Sequence, residues 1–474
     1  MTAPSDPREV VSRLWADAAL DPAALARLEL TGQEPVLPSS FAVGTAAQST
    51  LAAGLLAATE IGRLRNGLEQ GAQVDMVAAA LECSGYFSID GRVPDKWDKL
   101  SGLYRCRDGW VRIHANFAHH RDGALRLLGL APGADTARAE VQAAVATHAA
   151  LELEEAAARA GLVVAAARRF EEWDAHSQGR AVAGLPLVVW EKLDDAPPRA
   201  LPPLAPDARP LAGIRVLDLT RILAGPVCGR TLAAYGADVM LVNSPALPNI
   251  ESVIETSRGK LSCHVDLRQA DGQAALRELL VEAMVFVQGY RPGGLTSMGF
   301  GPADAARIRP GIVYVSLSAY GHVGPWADRR GFDSLVQTAT GFNDAEQIAA
   351  HEDQPKAMPV QIIDYASGFL MAFAAQAALW RQAHEGGSWH VRISLAQTAR
   401  WLRSLGRVEN GLAARQPPLD GLLQTTASGW GQLAAVCHGG QLTRTPVGWD
   451  RPSVPPGTHP PRWPTLTASA APHS

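Results

Sequence analysis

Ile214-Arg-Val-Leu-Asp-Leu219 is followed by Ala224-Gly-Pro-Val-Cys-Gly-Arg-Thr-Leu-Ala-Ala-Tyr235 and then by Ala237-Asp-Val-Met-Leu-Val242, and these stretches decide the fold. The first and last are short apolar runs, and the middle one has helical spacing after a loop, so the pattern predicts two buried strands joined by a helix. Two strands connected in this way run parallel, as in a βαβ unit.

The same alternation continues toward the carboxyl end. Residues 272–282 predict a helix, 283–288 a strand, 302–308 a helix and 312–316 a strand. This repetition predicts an α/β fold whose large domain is a Rossmann-like parallel sheet with right-handed crossovers. The chain contains neither a Gly-x-Gly-x-x-Gly loop after the first strand nor a Gly-x-x-x-x-Gly-Lys-Ser/Thr motif, so neither a dinucleotide site nor a P-loop is indicated.

Proline, glycine and composition divide the rest of the chain. Residues 1–95 have helical patterns, and residues 96–194 predict a smaller α+β domain that contains a hairpin around Asp108-Gly109. Residues 195–210 are rich in proline and predict a linker before the large domain at 211–411. Residues 412–474 accumulate Pro, Thr and Ser, which predicts a tail whose last ~20 residues are partly disordered.

Composition excludes several classes of protein. The net charge of −4 argues against a nucleic-acid partner, and 47% hydrophobic residues over 474 positions are typical of a globular protein. Five cysteines are scattered singly, without metal-ligand spacing, so no metal is predicted. The first residues lack a signal-peptide pattern and no run reaches ~18 apolar residues, so we expect a cytoplasmic protein without a membrane partner.

Two segments of the chain are similar to each other. Residues 364–381 and 390–397 parallel residues 45–63 and 73–80, since in both a helix leads through a glycine-containing turn into an apolar segment. One interpretation is a degenerate duplication in which Ala46 or Ala47 stands where the later copy has Asp364. The alternative is that Ala-rich helices resemble one another by composition.

An ordered set of motifs carries a resemblance to a known family. The motifs are Leu211-Ala-Gly-Ile-Arg-Val-Leu-Asp-Leu-Thr-Arg-Ile-Leu-Ala-Gly-Pro226, Leu232-Ala-Ala-Tyr-Gly-Ala-Asp-Val239, Arg258-Gly-Lys-Leu-Ser262, Gly289-Tyr-Arg-Pro-Gly293 and Ser318-Ala-Tyr-Gly-His-Val-Gly-Pro-Trp326. In this order they resemble the large domain of class III CoA-transferases, the CaiB/BaiF type. The likeness covers about residues 211–400, and a region like the family's small domain precedes the large domain instead of following its first half.

The resemblance implies a carboxylate nucleophile at Asp364, in Gln361-Ile-Ile-Asp-Tyr-Ala-Ser-Gly368. In such a family this carboxylate attacks an acyl-CoA thioester and then carries CoA as an aspartyl-CoA thioester, which a carboxylic acid opens. We expect helix-start amides to keep Asp364 ionised and Gly368 to admit the thioester closely. The alternative is an ordinary helix cap, for which Asp is a favoured residue.

The family pattern also implies a site for coenzyme A, which is a substrate here and not a tightly bound cofactor. Cations for its phosphates and residues lining the loop near the thioester are expected at Leu223, Ala224, Arg258, Lys260, Arg268, Tyr290, Arg291 and Arg330. Each cation could instead be a solvated surface group. Two positions depart from the family, because Asn243-Ser244 replaces a common Glu-Arg pair and Ser297 replaces an arginine.

Two other functions remain open at this point. Racemases of the superfamily pair an aspartate with a histidine that would stand at Phe332, and Phe332 cannot carry a proton, which disfavours racemisation. His322 is expected to be a polar group of its loop and not a base, and Asp333 is expected to support the loop or to contact substrate. Because the residues at two expected CoA-binding positions differ from those of the family, the sequence also allows a protein that binds CoA without catalysing a reaction. The resemblance further implies an interlocked homodimer. In this chain, however, the region like the small domain precedes the large domain, and this order could allow one chain to form the site by itself.

Overall fold

The computed structural model describes residues 3–464. The first region contains α1 (Pro7–Asp17), a 3-10 helix (Pro22–Arg27), β1 (Leu28–Thr31), α2 (Val43–Asn66), β2 (Ala72–Asp75), α3 (Met76–Glu82) and β3 (Phe87–Ile89). β1 and β2 pair in parallel around the crossover helix α2. This helix is buried along most of its length because it consists mainly of Ala, Leu and other small or apolar residues.

A smaller α+β unit follows. It contains β4 (Gly102–Arg105), β5 (Trp110–Ile113), α4 (Ala118–Leu127), α5 (Arg138–Val145), α6 (Ala150–Arg159) and β6 (Val164–Ala166), and it is followed by α7 (Phe170–Ala175), α8 (Ser177–Ala183) and β7 (Val189–Lys192). β4, β5 and β6 form an antiparallel sheet with its own apolar core. β7 does not belong to this sheet, so the predicted end of the small domain at residue 194 lies too far along the chain.

The large domain carries the remaining long elements. They are β8 (Arg215–Leu219), α9 (Ala224–Ala234), β9 (Asp238–Asn243), α10 (Ser252–Thr256), β10 (Lys260–His264), α11 (Ala270–Glu282), β11 (Val285–Gln288), a 3-10 turn (Thr296–Met298), α12 (Pro302–Ile308), β12 (Val313–Ser318), α13 (Asp333–Ala339), α14 (Phe342–Ala350), α15 (Ile362–Glu385), β13 (Trp389–Ser394) and α16 (Leu395–Ser404). The predicted α/β class is confirmed.

Seven strands form the main sheet in the order β10-β9-β8-β11-β12-β13-β7. All neighbours pair in parallel except β7, which runs antiparallel to β13 at the edge. Val216 of β8 lies opposite both Val239 and Val285, and alternate residues of the strands enter two different apolar cores. Both faces of the sheet are therefore covered, as expected of a parallel sheet.

The strand order reverses between β8 and β11, which follow each other in space but not in sequence. The connections leaving these two strands diverge to opposite sides, and this opens a crevice beyond their carboxyl ends. Arg221, Ile222 and Leu223 follow β8, and Tyr290 and Arg291 follow β11. The topology alone therefore places the predicted CoA loops around one crevice.

The last region of the chain pairs back onto the first. After a 3-10 turn (Gly411–Ala413), β14 (Leu423–Ser428), β15 (Gly431–Val436) and β16 (Gly440–Leu442) pair back onto β3 and β2 of the first region. The indole N–H of Trp463 donates to the Leu279 carbonyl at 2.9 Å, and the Gly439 N–H donates to Glu82 at 2.7 Å. Strand pairing and buried anchors order this segment despite its composition; residues 465–474 lie outside the described residues.

Helix α15 is long and apolar enough to cross a membrane, judged by length and composition, and it is the one helix of residues 3–464 that meets this test. Its apolar stretch is wholly buried inside the protein. It packs against α2 and α9 as a core helix.

Candidate active site

Asp364 is the third residue of α15, and its side chain opens on a cavity of about 190 Å³. The residue is 7% exposed, and no group in residues 3–464 donates a hydrogen bond to its carboxylate. A buried carboxylate without a donor is costly unless a ligand or a function requires it. This carboxylate is therefore available to a ligand in the cavity.

Asp333, the first residue of α13, faces the start of α15. It is fully buried, and its carboxylate accepts the Asp364 N–H at 2.8 Å and the Gln337 side-chain amide at 2.5 Å. Burial raises the pKa of Asp333 to about 6, while its hydrogen bonds to α15 and Gln337 lower it. Asp333 is thus a helix cap for α15 supplied by another element.

Within residues 3–464, no helix-start amide donates a hydrogen bond to the Asp364 carboxylate, contrary to the expectation from the sequence. Burial raises the pKa of Asp364 well above its usual range, and the carboxylate of Asp333 raises it further. The Asp364 amide is already used by Asp333. Two carboxylates in one buried site hinder each other's ionisation.

Six parts of the chain meet at the cavity. Besides the start of α15, its lining comes from the segment after α3, from the small domain, from the loops that follow β8 and β9, and from the start of α13. The lining residues lie within 83–87, 96–116, 222–223, 250–252, 332–334 and 359–365. One chain therefore supplies every wall that the described residues form.

The loop after β8 is strained where it enters the cavity. Ile222 has a φ of +79°, in the left-handed region that β-branched residues avoid. Such strain is typical of residues held in place at a functional site. Leu223 lines the cavity as predicted from the resemblance, whereas Ala224 begins α9 just beneath it.

Gly368 has a different role from the predicted one. A Cβ atom there would lie 2.5 Å from the Ala224 carbonyl oxygen and 2.8 Å from Val227. Gly368 therefore lets α15 approach α9 closely, and it does not face the cavity. The close contact still matters for the site, because it sets the distance between Asp364 and the loop after β8.

His114 was not predicted, and it lines the cavity from the small domain. Its ring stacks on Phe332 with centroids 4.1 Å apart, and its Nδ1 has no hydrogen-bond partner within the described part of the chain. Burial lowers the pKa of His114 to about 3, and His120 and Arg112 lower it further, so the ring is neutral. Nothing in the sequence marks this histidine, because its strand comes about 250 residues before Asp364.

Three arginines cluster at the carboxyl end of the sheet, beside the cavity. Arg330 contacts His120 Nε2 at 3.2 Å, and Arg291 is close enough to lower the pKa of Arg330 after burial. Burial lowers the pKa of Arg221, while the nearby Tyr290 raises it. No carboxylate of residues 3–464 lies within 4 Å of these three guanidinium groups, so the cluster suits an anion. Tyr290, Arg291 and Arg330 were predicted here; Arg221 and His120 were missed.

Arg258 and Lys260 are corrected to structural residues. Arg258 is buried between Glu255, the Val436 carbonyl and the ring of Trp449. Lys260 Nζ lies 2.8 Å from Asp218 and is fully enclosed. Neither side chain can reach a phosphate, because its donors are used inside the core.

Arg268 and His322 lie outside the main cavity. Arg268 is exposed after the edge strand β10, where it pairs with Asp266 at 2.7 Å. His322 lines a second cavity of about 140 Å³ together with Arg291, His390 and Arg392. The structure thus separates His322 from Asp364, and Asp328 is exposed.

A search of residues 3–464 finds no group of three or more His, Cys, Asp or Glu side chains that could hold a metal ion. The site consists of a buried carboxylate in a small cavity at the switch point of a parallel sheet, with an arginine cluster beside it. These features define an α/β protein with a candidate ligand site at the switch point of its parallel sheet.

Comparison with known proteins identifies the family. Residues 211–427 match the model of CoA-transferase family III. Region 211–427 of the chain carries the domain of this class III CoA-transferase family, so the resemblance seen in the sequence is confirmed.

Relatives with curated names cover part of the chain. An acetyl-coenzyme A transferase of Hypoxylon pulicicidum is 30% identical over 65% of this chain and 55% of its own length. A succinate–glutarate CoA-transferase of Agrobacterium fabrum is 30% identical over 48% of this chain and 66% of its own. The chain thus spans about half to two thirds of these relatives.

Among solved structures, a CaiB/BaiF family protein of Brucella suis is 28% identical, with 48% of this chain and 65% of that chain covered and a TM-score of 0.37.

Proposed function

We propose that the protein transfers CoA from an acyl-CoA thioester to a carboxylic acid, with Asp364 as the covalent nucleophile. The observation that carries this proposal is the carboxylate of Asp364, which is buried, lacks a hydrogen-bond donor and opens on a cavity. A carboxylate stripped of water and donors is a stronger nucleophile than a solvated one.

The reaction balances without a metal or an external acid. An oxygen of Asp364 bonds to the thioester carbonyl carbon, and the carbon–sulfur bond breaks to release CoA thiolate. The thiolate attacks the aspartyl carbonyl of the mixed anhydride, which releases the donor acid as a carboxylate and leaves aspartyl-CoA. The acceptor carboxylate then repeats both steps in reverse, so that CoA leaves on the acceptor and Asp364 is restored. No proton is gained or lost overall.

The arginine cluster supplies the binding energy for the CoA phosphates in this proposal. Arg221, Arg291 and Arg330 project from three loops at the same edge of the sheet, and none of them is neutralised by a carboxylate within the described residues. Their position beside the cavity would hold CoA with its thioester directed toward Asp364.

Loss of one cluster cation tests this assignment. We expect Arg330→Gln to raise KM for acyl-CoA about tenfold, because a charge-assisted hydrogen bond to phosphate is lost. Arg199→Gln, an exposed arginine of the linker, is the matched control for net charge. Equal KM values for the two variants would contradict the assignment.

Trapping tests the nucleophile itself. The protein is incubated with a panel of acyl-CoA thioesters, hydroxylamine is added, and the modified peptide is located by mass spectrometry. We expect a hydroxamate on Asp364 that requires acyl-CoA. CoA binding with no adduct across the panel would instead indicate a catalytically silent CoA-binding protein.

A racemase-like activity is a second candidate because of His114. The ring stacks on Phe332, the position where the racemase pattern has its histidine, and it shares the cavity with Asp364. An aspartate and a neutral histidine could exchange the α-proton of an acyl-CoA. Uptake of deuterium at the α-carbon without CoA transfer would favour this function.

A homodimer and a cytoplasmic location stay predictions. The mass of the protein in solution tests the first, and the result decides whether a second chain has to be considered at the site.

A further inference from the structure

Two buried polar side chains in the wall of the main cavity have no hydrogen-bond partner. Among the polar side-chain atoms that residues 3–464 enclose, His114 Nδ1 and Ser334 Oγ are unbonded, and no other residue with such an atom lines this cavity. His114 is 4% exposed and Ser334 is 1% exposed. An unbonded buried polar group is costly, so two of them at one cavity indicate a ligand or a function.

The two side chains flank Phe332 where the small domain meets the large domain. His114 follows strand β5, and its ring lies between Phe332, with centroids 4.1 Å apart, and Trp97, with centroids 5.9 Å apart. The His114 N–H donates to the Val163 carbonyl at 3.1 Å. Ser334 is the second residue of α13. Packing and backbone bonds therefore hold both polar groups in fixed positions.

Both groups lie near the nucleophile. Ser334 directly follows Asp333, whose carboxylate accepts the Asp364 N–H at 2.8 Å, so α13 and the first turn of α15 are joined beside the cavity. The cavity of about 190 Å³ has room for about six water molecules at ~30 Å³ each. In so small a space, a carbonyl group that Asp364 attacks lies close to the walls that carry His114 and Ser334.

The two groups are donors that keep their protons. Burial lowers the pKa of His114 to about 3, so the ring is neutral and carries one N–H. Because Nδ1 is enclosed, the edge of the ring that can meet a ligand is the edge with Nε2. The hydroxyl of Ser334 is also a neutral donor. Fixed neutral donors can polarise a carbonyl without transferring a proton.

We propose, building on the CoA-transferase function, that His114 and Ser334 are catalytic residues that donate hydrogen bonds to the carbonyl oxygen of the thioester under attack. When an oxygen of Asp364 bonds to the carbonyl carbon, the π electron pair moves to the carbonyl oxygen, which accepts from Nε2–H of His114 and Oγ–H of Ser334. When this pair returns, the carbon–sulfur bond breaks and CoA leaves as thiolate. Both donors keep their protons, in accord with a reaction that has no net proton transfer.

The rate of adduct formation at Asp364 tests the two donors. It is measured in a single turnover with the acyl-CoA thioester that labels the unmodified protein fastest. We expect His114→Phe, which keeps a flat ring on Phe332, and Ser334→Ala each to slow this step by about 10²–10³-fold. KM for acyl-CoA changes little, because the hydrogen bonds strengthen only as charge develops. His114→Gln has an amide N–H near the position of Nε2 and recovers part of the rate.

Ser257→Ala is the matched control for Ser334→Ala. Ser257 is also 1% exposed, and its hydroxyl is also unbonded within the described part of the chain, but it does not line the cavity. We expect the rate of adduct formation in this variant to stay within twofold of the unmodified protein.

The outcomes separate this inference from the proposed function. A rate equal to that of the unmodified protein in His114→Phe or in Ser334→Ala overturns the inference while the adduct still forms. An equal loss in Ser257→Ala, or a rise in KM without a change in rate, also overturns it. Loss of α-deuterium exchange in His114→Phe with unchanged CoA transfer assigns the histidine to racemisation and overturns it too. Absence of the adduct in the unmodified protein overturns the proposed function instead. Ser334→Ala, the smaller change, carries the test should His114→Phe fold poorly.

Discussion

The two long core helices α2 and α15 share a framework but differ at their first turns. Each has 24 residues, each is followed by a glycine, a strand and a shorter helix, and they pack against each other. Gly54 of α2 lies against the backbone of Phe369 and Phe373 in α15, and Gln376 donates to the Gly54 carbonyl at 3.0 Å. The resemblance noted in the sequence therefore extends to the structure.

Residues of α2 and α15 can be matched by their position counted from the first residue of each helix. Gly54 and Phe373 are both twelfth in their helices and touch each other, as expected for two copies related by a two-fold axis. The same count pairs Asp364 with Thr45, which corrects the predicted match to Ala46 or Ala47. The Thr45 N–H donates to the carboxylate of Glu34 at 2.7 Å, as the Asp364 N–H does to Asp333.

The difference lies in the reactive group and its access. Thr45 is 1% exposed, whereas Asp364 is 7% exposed and opens on a cavity. One framework therefore serves two roles: α2 fills the core, and α15 presents a carboxylate. Helix α2 has a carboxylate, Glu34, that holds the helix start, but at its matched position it has neither a nucleophilic carboxylate nor an opening.

The largest expected effect is at the nucleophile. Asp364→Asn removes the attacking oxygen charge while keeping size and shape, and we expect CoA transfer to fall by at least about 10³-fold. Thr45→Val makes a comparable small change at the matched position of α2, and we expect the rate to stay within twofold. Initial rates of acyl-CoA turnover measure both; substantial activity in Asp364→Asn would remove the proposed role.

A second comparison uses the glycines of the two helices. Gly368→Ala would force a Cβ against the Ala224 carbonyl oxygen at 2.5 Å, and we expect a loss of about 2–4 kcal/mol in the free energy of unfolding. In Gly54→Ala the nearest atoms lie 3.7 Å away, so the gain in helix propensity of up to about 1 kcal/mol is retained. Denaturant unfolding measures the two values, and equal values would show that the helix contacts are not as described.

The smallest expected effect is a shift in pH dependence. The pKa of Asp364 is raised in part by Asp333, so Asp333→Asn should lower it and keep the nucleophile ionised to lower pH. We expect the acid limb of the kcat/KM profile to move to lower pH. Glu34→Gln is the matched change in α2 and should leave the limb in place. If the acid limb of the kcat/KM profile moves to higher pH or does not move in Asp333→Asn, Asp333 does not raise the pKa of Asp364.

Much of the framework was predictable because it follows from local periodicity. Strands β8, β9, β11 and β12 of the main sheet can be read from short windows, and so can the proline-rich linker, whereas the structure places Asp364 inside the first turn of α15. The pairing of β15 with β3 and of β16 with β2 could not be predicted, since the partner strands lie far away in sequence. Arg258 and Lys260 were misjudged because a cation in a motif does not reveal whether it is buried in an ion pair.

By itself, the sequence determined the α/β class, the family and the candidate nucleophile, because apolar periodicity and ordered motifs are local properties. Only the tertiary structure decided which groups surround Asp364, since His114, Lys96 and Asp333 come from separate elements and meet through packing. The burial of Asp364 and the charges around it depend on all of these neighbours together. The raised pKa of Asp364 therefore exists only in the folded chain.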